Sequence, residues 1–153
     1  MKKYILVIAL FSLIFAGALF SWQTVSLADR GLRDDLLLKT RMVAHALDLR
    51  QIKALTGTKA DLNSPDYIRL KEQLTAVRAA NPHCRFIYLI GRRAGDTVFF
   101  FVDSEPAGSK DESPAGQIYE DVPYRYRLVF HTGIAAAEGP ATDRWGTWIT
   151  GLI

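Results

Sequence analysis

The chain has 153 residues, 49% of them apolar and 23% charged, which is the balance of a globular domain with a real core. Its 19 basic and 16 acidic side chains give a formal net charge of +3 and are interspersed, so no basic stripe of the kind that grips nucleic acid is present. The single cysteine, Cys84, excludes an intrachain disulfide.

Apolar residues are concentrated at the N-terminus. Residues 4–22 (YILVIALFSLIFAGALFSW) carry no charge, and as a helix they would span roughly 28 Å, close to bilayer thickness. Lys2 and Lys3 precede the run, and its length points to an uncleaved signal anchor over residues 1–23 with the N-terminus inside and the bulk of the chain exported. Arg30, Arg33, Lys39 and Arg41 blur that charge comparison. The alternative is a cleaved signal peptide, for which Ser26-Leu27-Ala28 supplies small residues at the two positions a signal peptidase reads.

Residues 24–57 read as one stem helix continuing out of the membrane to about Leu55, with Trp22 at the interface level and Thr56-Gly57 as its stop. Leu32, Leu36, Leu38, Met42, Val43, Ala46, Leu47 and Leu49 cover about half its circumference. A stripe this wide either caps the domain core or also packs on a second copy, as in a membrane-proximal homodimer. A polar connection over residues 58–63 follows. Ser64-Pro65 then opens a helix whose Tyr67, Leu70, Leu74 and Val77 share one face and which Asn81-Pro82 ends.

Residues 86–104 (FIYLIGRRAGDTVFFFVDS) read as an antiparallel hairpin, two β-prone apolar runs joined by Arg93-Ala94-Gly95-Asp96. Both runs are nearly continuous in apolar character, which places the hairpin at the centre of a sheet with both faces covered. Residues 105–117 form a long loop expected to cover a pocket. Residues 122–132 predict a short helix with Tyr126, Val129 and Phe130 inward and Gly133 as its stop; residues 138–143 predict a glycine and proline loop, and residues 144–153 a final strand. Because that strand is apolar to its last residue, further strands are expected to follow it.

Catalytic chemistry is hard to find. His45, His83 and His131 show no metal-binding or triad-like spacing, the adjacent His83 and Cys84 would point opposite ways on an extended chain, and no motif calls for a cofactor. Tyr88 and Asp103 on the hairpin, Tyr119 after the loop, and Arg144, Trp145 and Trp148 on the last strand could line a ligand pocket, with the arginine serving an acidic group and the aspartate an amine. The competing reading makes the tryptophans core residues and Asp103 and Arg144 a structural ion pair.

The succession of an apolar anchor, a stem helix, RFIYLIGRR, VFFFVDSEP, SPAGQIY and EGPATDRWGTWITGLI resembles the extracytoplasmic sensor region of bacterial transmembrane signalling proteins. These are Cache or PDC modules, PAS-like in fold, found at the N-termini of histidine kinases and diguanylate cyclases. The resemblance implies an α+β fold with a PAS-like antiparallel sheet over residues 58–153, incomplete at its C-terminal side. It further implies a small-molecule ligand, residence in a bacterial inner membrane, a stem-mediated homodimer and a cytoplasmic output domain, with no enzymatic activity in these residues. A small secreted or anchored hydrolase and a structural exported domain are the alternatives.

Overall fold

The computed structural model describes residues 2–143 and 146–153, apart from the side chains of Lys2 and Asp143. It is α+β, with a long N-terminal helix and two small antiparallel sheets. Helix α1 runs without interruption over Lys2–Ala46, 45 residues. The large apolar side chains between Tyr4 and Trp22 are 49–76% exposed. Nothing in the described residues covers them, and by length and composition this part of α1 is able to cross a bilayer, a property that a signal sequence shares.

The expected single stem helix to Leu55 is broken at Leu47 and Asp48. Leu47 turns inward to the core, and the Asp48 carboxylate accepts from the Arg50 N–H at 2.8 Å, capping a second short helix, α2, Leu49–Ala54. The connection expected over residues 58–63 is a 3₁₀ turn, Lys59–Asn63, closed by a reciprocal cap between Thr58 and Asp61. Helix α3, Pro65–Ala79, begins where the sequence places it, with the Ser64 hydroxyl accepting from the Tyr67 N–H at 3.2 Å. Its buried face of Tyr67, Leu70 and Leu74 forms the main core with Leu47, Leu55, Val102 and Ala115.

Strands β1, Tyr88–Arg92, and β2, Val98–Asp103, pair antiparallel from Tyr88↔Asp103 to Arg92↔Val98, with a bulge between Leu89 and Ile90. Gly91 makes room for the rings of Phe99 and Phe101, which a Cβ at this position would displace. Residues 116–119 run along the other edge of β2: the Phe100 N–H donates to the Gln117 carbonyl and the Tyr119 N–H to the Val98 carbonyl, each at 2.9 Å. Helix α4, Tyr124–Thr132, ends at Gly133 in the left-handed conformation, φ 66°.

Strands β3, Ala136–Asp143, and β4, Gly146–Leu152, form a separate antiparallel sheet. Two expectations are corrected here. Residues 138–143 are strand rather than loop, since the pairing skips Gly139 and Pro140 in a bulge and so tolerates a proline that cannot donate to a ladder. The 86–104 hairpin is not the centre of one larger sheet, because among the described residues β1 pairs only with β2 and β4 only with β3.

Candidate functional site

Between the two hairpins lies a cleft of about 1480 Å³, bordered by α1 as well as by both sheets and α4. Its floor is aromatic. Tyr88 meets Phe100 edge-to-face at 5.5 Å between centroids, Phe100 stacks on Tyr119 at 5.2 Å, and Tyr119 meets Tyr126 edge-on at 5.7 Å. The chain reaches this arrangement because alternate residues of a strand share a face: Tyr88 and Ile90 of β1 and Val98 of β2 turn to the side on which Val122 and Tyr126 of the α4 region pack. Across the cleft Trp148 of β4 sets its ring edge against Phe86 at 5.3 Å.

The polar groups of the floor are phenols. The Tyr88 and Tyr126 hydroxyls lie 2.9 Å apart, and the Thr150 side chain of β4 faces the same Tyr88 hydroxyl. Burial, then the neighbouring Tyr126, pushes the Tyr88 phenol well above its usual range, so it stays neutral. Several charged side chains at the borders are engaged with each other: Lys39 with Asp35 at 2.6 Å, Arg125 with Glu138 at 3.2 Å, and Arg85 with Glu105 at 2.7 Å and Asp111 at 2.9 Å. No family model, curated protein or solved structure matches this chain. What the site does must therefore be argued from its own geometry.

Of the residues singled out in the sequence, Tyr88, Tyr119 and Trp148 come together in this cleft. Asp103 reaches its border, but its carboxylate is already used: Oδ1 lies 2.8 Å from the Lys71 ammonium on α3 and Oδ2 accepts from the Ser113 N–H at 2.5 Å. Arg144 and Trp145 lie outside the described residues. Lys71 also binds Glu112 at 3.0 Å; burial acts to lower its pKa, and the two carboxylates outweigh burial and raise it. With Arg78 and Arg85 holding Glu105, these pairs fasten the 105–117 loop to α3, while Ser113, Gly116 and Gln117 reach the cleft border.

Phe86, Phe100, Tyr126 and Thr150 belong to the site and carried no functional signal in the sequence. Tyr126 reads there only as a core residue; its hydroxyl, which a phenylalanine would lack, is the one hint that the position is polar. Cys84 borders the cleft with its thiol pKa raised by burial, the condition of an unreactive cysteine. Among the described residues, no three His, Cys, Asp or Glu side chains gather as a metal-binding group. The arrangement suits an apolar or aromatic molecule that stacks on rings and exchanges hydrogen bonds with neutral hydroxyls.

Proposed function

We propose that this chain is a membrane-anchored, PAS-like extracytoplasmic sensor domain, in which the aromatic cleft binds a small ligand and α1 carries the response toward the membrane. The observation behind this reading is that one uninterrupted helix both borders the cleft and continues into a segment able to cross a bilayer. A ligand that favours one packing of the hairpins on that helix shifts the population of stem positions. Uncleaved anchoring, an exported domain, a bacterial inner membrane and a cytoplasmic output domain of kinase or cyclase type belong to the same proposal.

The test is thermal unfolding of the full chain in lipid nanodiscs against a library of small aromatic and amphipathic solutes. A true ligand raises the melting temperature of the native chain with a saturable dependence on concentration. The same compound should lose its effect with Trp148→Ala and Tyr119→Ala. Stabilisation by no solute, or stabilisation that survives both changes, removes the ligand reading.

A second reading is favoured by the directions of β1 and β4. Phe86 faces Trp148 and Tyr88 faces Thr150, so the two strands run the same way with their side chains in phase. In an antiparallel sheet that is the relation of next-nearest strands, and an extended peptide entering between them antiparallel to both would form ladders on each side. Occupation by peptide would protect the amides of Tyr88 and Ile90, which lie on the side of β1 turned away from β2, from hydrogen exchange, whereas a small aromatic ligand would leave them exchanging as before.

A further inference from the structure

The β3–β4 hairpin touches both the stem helix and the cleft. Trp148, Thr150 and Leu152 share one face of β4: the first meets Phe86, the second faces Tyr88, and the third packs with Val98 and Tyr126. The opposite face carries Gly151, where the strand backbone approaches α1 so closely that a Cβ would strike Thr40 Oγ1 and crowd Leu36. The second attachment to the stem is Arg33. Its guanidinium donates to the Gly139 carbonyl at 2.9 Å and to the Ala137 carbonyl at 3.4 Å, and its Nε is fixed by Asp29 one helical turn earlier at 2.8 Å.

The position of this clamp follows from the bulge. Glu138 pairs with Thr150 and Ala141 with Trp148, so Gly139 lies between ladder rungs and its carbonyl is available to a side chain from outside the sheet. Gly139 has φ 118°, and a Cβ there would collide with the Trp148 carbonyl, so the bulge admits only glycine at this position. Among the described residues the hairpin has no ladder to β1–β2, and its placement across the cleft rests on side-chain packing together with the Arg125–Glu138 pair.

We propose that the β3–β4 hairpin is the moving part through which occupancy of the cleft acts on the stem, and that Arg33 is the positioning residue that couples the two. This rests on the sensor reading above and adds the route of transmission. Filling the cleft pushes on Trp148, Thr150 and Leu152; the hairpin shifts as a two-stranded unit; and the guanidinium fork, bonded to two of its carbonyls, draws α1 with it. A lysine at position 33 would keep the charge beside Asp29 and lose the planar two-carbonyl grip.

The test needs no ligand, so its failure is separable from failure to find one. In the full chain in nanodiscs, with Cys84→Ser, spin labels are placed at Leu38→Cys on the exposed side of α1 and Ile68→Cys on α3, and diluted with unlabelled chain. Thr150→Trp stands in for an occupied cleft, and Leu152→Trp is the second such variant should the first fail to fold. The expected result is a shift of about 1–2 Å in the mean label distance with Arg33 present, abolished by Arg33→Gln and by Arg33→Lys although both still fold. An equal shift without Arg33, or no shift in a folded cleft-filled chain, overturns the proposal. A purely structural Arg33 would lower the melting temperature and leave the response to Thr150→Trp unchanged.

Discussion

The hydroxyl of Tyr88 on β1 lies 2.9 Å from that of Tyr126 on α4, so two elements separated by 38 positions in sequence meet through a pair of neutral phenols at the floor of an apolar cleft. Each hydroxyl is the other's partner where water is scarce. Tyr126→Phe leaves Tyr88 with only Thr150 to turn to, and should cost about 1–3 kcal/mol in urea unfolding. The pH dependence has a definite sign. An acid whose folded pKa is raised stabilises the fold below its unfolded value and loses that contribution as pH rises, so stability should fall above the ordinary tyrosine value of 10.0. Tyr88→Phe should flatten that alkaline slope; an unchanged slope would show that other groups control it.

Asp61 makes the opposite case. Burial acts to raise its carboxyl, and hydrogen bonds from Thr56, Gly57 and Thr58 outweigh burial and hold it below the ordinary 3.8. A lowered carboxylate contributes stability above its unfolded pKa that is lost as pH falls through the folded one. Stability should therefore decline below pH 3.8, and Asp61→Asn should cost about 1–3 kcal/mol at neutral pH and reduce that acid slope, measured as urea midpoints against pH.

Asp103 should behave as a structural residue. With Lys71 only 15% exposed between two carboxylates, Asp103→Ala removes one partner of a buried ion pair and should cost about 3–5 kcal/mol, less whatever Glu112 recovers. The double change Asp103→Leu with Lys71→Met should be nearer to wild type than either single change. If Asp103→Ala instead abolished recognition of a cleft ligand at unchanged melting temperature, the carboxylate would belong to the binding site.

The stem should pair with a second copy along the side opposite the hairpin. Leu38 and Met42 are 56% and 65% exposed, one turn apart, whereas Leu36 packs toward Gly151. In membranes, with Cys84→Ser, cysteine at Leu38 or Met42 should crosslink between copies and cysteine at Leu36 should not. Equal crosslinking at all three would mean collision without a defined interface.

The elements easiest to read were those whose ends are set by local chemistry. Ser64-Pro65 begins α3 where it should, and Gly133 stops α4, because a cap needs only neighbours in sequence. The break at Leu47 and Asp48 was hidden, since the helical pattern of apolar residues continues through it and only the core shared with Tyr67 and Leu74 draws Leu47 aside. Strand β3 was missed because Gly139-Pro140 reads as a turn unless a bulge accommodates it. In the site, Tyr88, Tyr119 and Trp148 were legible as aromatic residues at strand ends; that Lys71 claims Asp103 across 32 positions was not, because an ion pair leaves no mark in sequence spacing.

Under the anchored reading proposed above, the unbroken course of α1 would set the height of the cleft above the membrane. From Trp22 at the interface level, the rise of 1.5 Å per residue places Arg33 about 16 Å and Thr40 about 27 Å farther out. The headgroup layer of one leaflet is only roughly 5–8 Å deep, so on that reading the hairpin and the cleft beside it would stand in the aqueous phase. A molecule that reaches Tyr88 and Trp148 in the anchored protein arrives as a dissolved solute. A solute partitioned wholly into the acyl chains would pass beneath the site without meeting it.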